Sequence, residues 1–198
     1  MTRSGGPTVG VLLSGGASSR MGRPKALLRD RKGRTFLDRL VRTLRDGGCE
    51  QVIVVAGRHV ARIAQELPAG ALLVRNVRWE RGQLSSAAVG LRAALAFAPS
   101  GIVLHLIDQP LIEASDVARV IAALDSSELA IATCSGVQGH PLAMTVPIAE
   151  RVSISRAATL RAALARSARR RVVVEGCSAG CVQGANTPAE LRDLLRGT

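Results

Sequence analysis

Six short apolar runs, separated by segments of helical periodicity, constrain the fold of this chain more than any other feature of its sequence. Residues inside the runs are almost purely apolar, which is typical of strands that are covered on both faces in a parallel sheet. The runs predict strands at residues 8–13, 51–56, 71–75, 102–107, 129–133 and 171–175. This alternation predicts an open α/β sheet whose ligands bind beyond the carboxyl ends of its strands.

The segments between the runs predict helices whose ends carry capping residues. Thr35 and Asp38 form a capping-box pattern ahead of apolar residues that share one helical face. Ser115 is expected to cap a later helix, and Thr187 with Glu190 marks the start of the last one. Further helices are alanine-rich. Together these signals predict helices over residues 35–47, 84–98, 160–168 and 188–196, and a further helix after Ser115.

The length of the chain, 198 residues, is typical of one domain. We expect a flexible tail over residues 1–7 and a single domain over residues 8–198. No apolar run approaches the roughly 20 residues of a membrane helix, and residues 1–7 lack the apolar segment of a signal peptide. The sequence therefore predicts a cytoplasmic protein without membrane contact.

A net charge of +12 favours an anionic ligand but does not identify it. The chain has no Tyr, two Phe and one Trp, which makes a nucleic-acid binder that stacks bases improbable. Seven arginines fall within residues 151–171, and their spacing spreads them around a helix, which favours a solvated surface. The four cysteines lack zinc-site spacing, so reduced thiols are expected.

The segment after the first predicted strand is rich in glycine and serine and ends in spaced cations. It reads LSGGASSRMGRPK from Leu13 to Lys25. Glycines let backbone N–H groups approach phosphate oxygens, and Arg20 and Lys25 can neutralise the remaining charge. The loop is neither a Walker loop nor a GxGxxG turn. It is a candidate triphosphate site, with a plain glycine turn as the alternative, and Lys25, one of only two lysines, favours the phosphate site.

This loop resembles the LxGGxSxRMGxxK signature of the MobA-like nucleotidyltransferases, especially their molybdenum-cofactor cytidylyltransferase branch. Residues 76–91, the Asp108-Gln109-Pro110 segment and the Gly139-His140-Pro141 segment agree with the same family. The resemblance implies an open three-layer sandwich with a mostly parallel, Rossmann-like nucleotidyltransferase sheet of the GT-A-like kind. It also implies that the loop binds the incoming nucleotide through Leu13, Ser14, Gly15, Gly16, Arg20 and Lys25, with Arg20 and Lys25 acting in catalysis.

Asp108 follows an apolar strand, where a carboxylate is costly to bury without a partner. Its place at the carboxyl edge of the sheet suggests a catalytic metal ligand, and a turn with Pro110 is the alternative. The resemblance implies Mg²⁺ at Asp108 and a second ligand just before the last helix, where Asn186 lies. The cytidylyltransferase branch commonly has an acidic DxDTP form there, so the amide of Asn186 supplies less charge to a metal.

Residues Gly82, Gln83, Ser85 and Ser86 lie near the start of a predicted helix and offer amide and hydroxyl groups to a nucleobase edge. The family uses this region for the base and ribose, and simple N-capping of the helix is an equal alternative. Trp79, the only tryptophan, either covers the acceptor ring or fills a loop.

Two histidines fall near the predicted edge. His140 is predicted to lie in a turn before a strand-like segment at residues 142–146, and the resemblance places it near the acceptor substrate. His105 lies three residues before Asp108 and is predicted to be a core histidine that points to the opposite face.

These residues predict Mg²⁺-dependent nucleotidyl transfer, in which a phosphate of the acceptor attacks the α-phosphate of a nucleoside triphosphate and pyrophosphate leaves. The resemblance implies CTP in preference to GTP as donor and molybdopterin carrying molybdenum, a phosphorylated pterin, as acceptor. A molybdenum hydroxylase is then a candidate partner. The alternative is an NAD(P)-binding oxidoreductase, or an accessory protein that delivers the cofactor, on the same fold.

Overall fold

The computed structural model describes residues 5–16, 23–185, 187 and 189–190. Seven strands in these residues form one sheet in the order β3-β2-β1-β4-β6-β5-β7. All run parallel except β6, which is antiparallel to both of its neighbours. The strands are β1 (Thr8–Ser14), β2 (Gln51–Ala56), β3 (Ala71–Arg75), β4 (Gly101–Leu106), β5 (Leu129–Cys134), β6 (Val137–Met144) and β7 (Arg171–Val174).

Helices cover both faces of this sheet, which makes the predicted three-layer α/β sandwich correct. One face packs against α1, α2 and α4, and the other packs against α3, α5 and α6. The helices are α1 (Phe36–Asp46), α2 (Val60–Gln65), α3 (Gln83–Leu95), α4 (Ala114–Ala122), α5 (Val146–Ser153) and α6 (Leu160–Ser167).

Strand β1 shows why the apolar runs predicted this architecture. Its side chains alternate between the two faces, so Leu12 enters the core that contains Leu40 of α1, while Val11 and Leu13 enter the core that contains Leu91 of α3. Every residue of β1 is buried. Burying a leucine or valine side chain of this kind stabilises the fold by roughly 2 kcal/mol, which a half-exposed strand could not gain on both faces.

Most predicted elements agree with the structure at their ends. The six predicted strands start and end within one residue of the observed ones, whereas the strand-like segment predicted at 142–146 belongs to β6, which starts at Val137 and ends at Met144. Thr35 caps α1, because its side chain accepts a hydrogen bond from the Asp38 N–H. Thr187 accepts a hydrogen bond from the Glu190 N–H at 3.2 Å, as its predicted capping role requires, while most of the helix predicted over residues 188–196 lies outside the described residues.

Three local predictions are wrong, and two helices were not predicted. Glu113, and not Ser115, caps α4, because Asp116 completes a capping box that starts two residues earlier. His140 lies inside β6 and not in a turn, since the polar segment 137–141 is drawn into a hairpin with β5. Helix α3 ends at Leu95, short of residue 98. Helices α2 and α5 carried too short a periodic pattern to be predicted. In the part of the chain that the structure describes, no helix combines the length and apolarity that crossing a membrane requires.

Candidate active site at the carboxyl edge of the sheet

An ion pair between Lys25 and Asp108 lies at the carboxyl edge of the sheet. Lys25 begins a short 3₁₀ helix, Lys25–Leu27, and Asp108 lies two residues after β4. Lys25 Nζ lies 3.4 Å from Asp108 Oδ2, and both side chains are partly shielded, with 13% and 28% of their surface exposed. The structure thus brings together two of the three residues that the sequence predicted to be catalytic. The third, Arg20, lies outside the described residues.

A backbone hydrogen bond joins the segment after β7 to this edge of the sheet. The Ala185 N–H donates a hydrogen bond of 2.8 Å to the Asp108 carbonyl oxygen. Ala185 immediately precedes Asn186, the predicted second metal ligand, which itself lies outside the described residues. A partly exposed carboxylate of this kind is a suitable donor for a hard divalent cation, so the residues present fit the Mg²⁺ that the sequence predicted.

The glycine-rich loop after β1 begins beside helix α3. Leu13 and Ser14 are the last residues of β1 and are buried, and Gly16 is exposed with open space around it. A Cβ at Gly15 would come within 2.5 Å of Ser86 Oγ, so a side chain there would require that hydroxyl to move. The loop therefore leaves the sheet with its backbone close to α3: the core holds Leu13, Ser14 and Gly15, and Gly16 lies exposed.

The start of α3 is fixed by an asparagine that the sequence did not single out. Gly82 is the residue before α3 and has φ +89°, which favours glycine. Asn76 Nδ2 donates to both Ser85 Oγ and Ser86 Oγ at 3.0 Å. Both serine hydroxyls are therefore engaged within the protein, and their role in base binding stays a prediction. Gln83, in contrast, is exposed at the first turn of α3.

Trp79 lies beside the glycine-rich loop, at the end of β2. A Cβ at Gly57, the residue after β2, would come within 2.6 Å of Trp79 Cβ and within 2.5 Å of the Gly15 carbonyl oxygen. Trp79 is thus packed beside the glycine-rich loop, and β1 and β4 separate its neighbour β2 from β6. This position favours the loop-filling interpretation, and the covering of the acceptor ring by Trp79 stays an untested prediction.

The imidazole rings of His105 and His140 contact each other edge to face. Their ring centroids are 6.3 Å apart with an interplanar angle of 75°. Burial lowers the pKa of His105 to about 3, with a smaller contribution from His140. Burial also lowers the pKa of His140 to about 4, although the charge of Asp108 opposes that shift. Both imidazoles are therefore neutral at pH 7. His105 is a fully buried core histidine, as predicted, and its Nε2–H donates to the Gln109 carbonyl oxygen at 2.9 Å. It was also predicted to be fully hydrogen-bonded, but its Nδ1 is buried without a partner among the described residues.

A cavity of about 780 Å³ opens from His140 toward helix α6. We call it the α6 groove. Its polar lining consists of Gln83, Gln109, Gln138, His140, Arg161 and Arg171. Its apolar lining consists of Leu106, Leu129, Ile131, Leu142, Leu160 and Leu164. Its size is that of a small-molecule site.

A second cluster of polar and sulfur side chains lies at the start of α4. Potential ligand atoms of Asp116, Cys177 and Cys181 lie within 4.8 Å of one another, and all three residues are buried. The Asp116 carboxylate accepts hydrogen bonds from the Ser178 N–H at 2.8 Å, the Ser178 hydroxyl at 2.6 Å and the Glu113 N–H at 2.9 Å. These bonds occupy the carboxylate, so the cluster anchors the chain after β7 to α4.

The titration of this cluster agrees with a structural role. Burial alone would raise the pKa of Asp116, and the hydrogen bonds from Ser178 and Glu113 outweigh it and lower that pKa. Burial raises the pKa of the Cys181 thiol, and the neighbouring Asp116 raises it further. The Cys181 thiol therefore stays protonated, and both cysteines of the cluster are free, as the sequence predicted.

Comparison with known proteins places this site in a family. Residues 10–177 match the model of the MobA-like NTP transferase domain. The chain is 35% identical over 146 residues to the nicotine blue oxidoreductase of Paenarthrobacter nicotinovorans, which spans 67% of this chain and 68% of that protein. It is 31% identical over 194 residues to a probable molybdenum cofactor guanylyltransferase of Rhodopirellula baltica, which spans 93% of this chain and 90% of that protein.

Solved structures share the fold of this chain. The crystal structure of Rv0371c from Mycobacterium tuberculosis superposes with a TM-score of 0.78 at 26% identity, covering 98% of this chain and 100% of that one. Its complex with manganese superposes with a TM-score of 0.73 at 25% identity, covering 97% and 100%. With the glycine-rich loop, the Lys25–Asp108 edge and a family match over most of its length, this chain belongs to the MobA-like NTP transferase domain family.

Proposed function

We propose that this protein transfers a nucleotidyl group from a nucleoside triphosphate to the phosphate of a pterin-type molybdenum cofactor and releases pyrophosphate. The Lys25–Asp108 pair carries the proposal, because it places a cation and a carboxylate at the sheet edge where the glycine-rich loop begins. The relative from Rhodopirellula baltica, named for transfer of a guanylyl group to this cofactor, supports the acceptor.

Lys25 and the loop backbone account for nucleotide binding. The chain after Ser14 leads into Gly15 and Gly16, whose N–H groups can approach phosphate oxygens because no Cβ intervenes. The Lys25 ammonium, held by Asp108 at 3.4 Å, can move to the triphosphate when nucleotide binds. Arg20 is proposed to neutralise further phosphate charge from within the same loop.

Asp108 accounts for metal binding. With Asn186 as the proposed second ligand, it would hold Mg²⁺ between the two substrates. The cation, when bound, neutralises phosphate charge and aligns the reacting groups. The manganese complex of Rv0371c supports a divalent ion in this family without specifying Mg²⁺.

The transfer needs no general base from the protein. The acceptor phosphate is ionised at neutral pH, so one of its oxygens forms the new bond to the α-phosphorus. The bond from that phosphorus to the β-phosphate oxygen breaks, and pyrophosphate leaves with the electron pair. The neutral state of His140 agrees with this scheme, because an uncharged imidazole can orient the acceptor without trapping its phosphate.

The sequence and the relatives favour different nucleotides as the donor. The loop sequence and residues 76–91 resemble the cytidylyltransferase branch and favour CTP. The names of two relatives, both probable molybdenum cofactor guanylyltransferases, favour GTP. Turnover with each nucleotide at equal concentration measures the preference directly: faster transfer from GTP contradicts the CTP prediction.

A second candidate function is an oxidoreductase on this fold. The nicotine blue oxidoreductase of Paenarthrobacter nicotinovorans, 35% identical over 146 residues, favours it. In that case the loop would hold the pyrophosphate of NAD(P), and the α6 groove would hold the compound to be reduced.

One assay separates the two functions. The purified protein is incubated with molybdenum cofactor, Mg²⁺ and either CTP or GTP, and pyrophosphate release is followed; in parallel, NAD(P)H oxidation is followed spectroscopically. Pyrophosphate release that requires both cofactor and metal supports the transferase. NAD(P)H oxidation without pyrophosphate release contradicts it and supports the oxidoreductase.

A further inference from the structure

We propose that Arg39 of α1 is a positioning residue for the Lys25–Asp108 pair. Its guanidinium group ties the Asp108 turn, residues 108–110, to the Lys25 segment, residues 25–34. The paired residues are 83 positions apart in the chain, so tertiary contacts must hold their two segments in register. This inference rests on the proposed function, because it takes Lys25 and Asp108 as the groups that act on the substrates.

The Nε side of the guanidinium holds the Asp108 turn. Arg39 Nε donates a hydrogen bond of 2.8 Å to the carbonyl oxygen of Pro110, two residues after Asp108. A charged donor makes such a bond roughly twice as strong as a neutral one. This contact joins residues 71 positions apart, and it attaches the Asp108 turn to α1.

The other end of the guanidinium faces the Lys25 segment. Arg39 Nη1 lies 3.7 Å from Asp30 Oδ2, and only 5% of the Asp30 side chain is exposed. Asp30 Oδ1 accepts hydrogen bonds from the backbone N–H groups of Lys32 and Arg34, at 2.9 and 3.0 Å. The Asp30 carboxylate thus closes a tight turn in the Lys25 segment, and Arg39 is a charged partner of that turn.

Backbone hydrogen bonds carry this contact back to Lys25. The Leu28 N–H donates to the Lys25 carbonyl oxygen at 3.1 Å, and the Phe36 N–H at the start of α1 donates to the Leu28 carbonyl oxygen at 2.8 Å. Leu28 and Phe36 are both buried. The chain from Lys25 to Asp30 is therefore bonded to α1, the helix that carries Arg39.

The Asp108 turn has further support, which separates positioning from folding. Its three successive carbonyl groups accept hydrogen bonds from three different elements; the pairs are Ala185 N–H to Asp108, His105 Nε2–H to Gln109 and Arg39 Nε to Pro110. Of these three donors, Arg39 is the one whose described contacts also include Asp30. Loss of the guanidinium leaves two bonds to hold the turn, so the fold should persist while the turn loses its link to the Lys25 segment.

Arg39→Met tests this role, because it removes the guanidinium and keeps most of the apolar stem. The matched control is Arg42→Met on the same helix: Arg42 is 66% exposed and bonds to Asp38 within α1 at 3.0 Å. Transfer is measured by pyrophosphate release, and binding of Mn²⁺ alone is measured from the electron paramagnetic resonance signal of the free ion. The melting temperature reports the fold.

We expect Arg39→Met to lower kcat roughly tenfold and to weaken Mn²⁺ binding roughly fivefold, because a small displacement of an acting group costs rates of this order or more. Arg42→Met should stay within about twofold of the wild type in both. In an Asp108→Asn background, Arg39→Met should change kcat by less than about twofold, since the group that it positions is already lost. A role in stability alone would not produce this dependence on Asp108.

Wild-type kcat and Mn²⁺ affinity in folded Arg39→Met overturn the inference, and so does an equal loss of kcat with and without Asp108. If Arg39→Met fails to fold, Arg39→Lys takes its place, because a lysine keeps the charge but lacks the planar fork that meets both partners. Its expected loss of kcat is about threefold, and wild-type values there also overturn the inference.

The two measurements separate this inference from the proposed function. Unchanged transfer in Arg39→Met removes the positioning role and leaves the transferase proposal intact. If pyrophosphate is never released but Mn²⁺ binding weakens in Arg39→Met and not in Arg42→Met, the transferase proposal fails and the positioning of Asp108 stands. A wild type that neither binds Mn²⁺ nor releases pyrophosphate overturns both.

Discussion

The proposed nucleotide side and the proposed acceptor side of this edge are built in opposite ways. On the proposed nucleotide side, a Cβ at Gly15 would meet the Ser86 hydroxyl, and Asn76 holds the hydroxyls of Ser85 and Ser86. On the proposed acceptor side, the α6 groove is open, and Arg161 lacks an acidic partner among the described residues. The difference suggests that the fold fixes the start of the glycine-rich loop by packing and leaves the groove accessible.

The largest expected effect comes from Asp108, where the two sides meet. Asp108→Asn keeps the shape of the side chain but removes the carboxylate charge, so Mg²⁺-dependent transfer should fall by roughly a hundredfold or more. The fold should persist, because a partly exposed ion pair at 3.4 Å contributes little to stability. Pyrophosphate release measures the first expectation, and the melting temperature without metal measures the second. Wild-type transfer in the variant, or its unfolding, would make Asp108 a structural turn residue.

Lys25 tests the nucleotide side alone. Lys25→Ala removes the ammonium expected on the triphosphate and should weaken nucleotide binding roughly tenfold to a hundredfold. The KM for the acceptor should change little. Lys32, the other lysine, is exposed and provides the matched control Lys32→Ala, for which nucleotide titration should match the wild type. Equal nucleotide affinity in Lys25→Ala and Lys32→Ala would remove Lys25 from the site.

His140 tests the acceptor side alone. His140→Gln should raise the KM for the acceptor roughly fivefold through the loss of one hydrogen bond and leave the KM for the nucleotide unchanged. Because burial keeps the pKa of His140 at about 4, wild-type activity should show no inflection from this group between pH 6 and 8. His59→Gln, at the start of α2, is the control. A loss confined to nucleotide affinity would place His140 on the other side.

The smallest expected effect concerns the hydrogen bond between Ser178 and Asp116. Ser178→Ala removes a 2.6 Å hydrogen bond to Asp116 and should destabilise the protein by about 1 kcal/mol near pH 7. The lowered pKa of Asp116 stabilises the fold above the unfolded value of about 3.9, and this contribution is lost as the pH falls through the folded value. The difference in melting temperature between variant and wild type should therefore shrink on acidification. A pH-independent difference would contradict this account.

The sequence predicted the parallel part of the fold well because each strand there is a short apolar run with a single interpretation. It also identified Lys25 and Asp108, which the structure brings to 3.4 Å although they are 83 residues apart in the chain. Parallel strands end at a common edge, so residues that follow β1 and β4 must meet.

The acceptor side could not be predicted in the same way. Strand β6 starts with Val137, Gln138, Gly139 and His140, which form no apolar run, so His140 was assigned to a turn. Arg161 and Arg171 were part of an arginine-rich segment that favoured a solvated surface, and only the parallel pairing of β7 with β5 brings Arg171 to the same groove as Arg161. Asn76 gave no signal, because a buried asparagine that bonds two serines depends on tertiary contacts.

The antiparallel direction of β6 affects which part of the site can vary in sequence among proteins with this sheet topology. Its first residues, and not its last, reach the edge where β1 and β4 end, so the acceptor side is built from the tip of the β5–β6 hairpin. Deep in the core, the pairing of Leu104 with Leu142 keeps the register of the strand fixed. The hairpin tip can therefore change in length and sequence while the glycine-rich loop stays intact, and one end of the edge can vary without rebuilding the other.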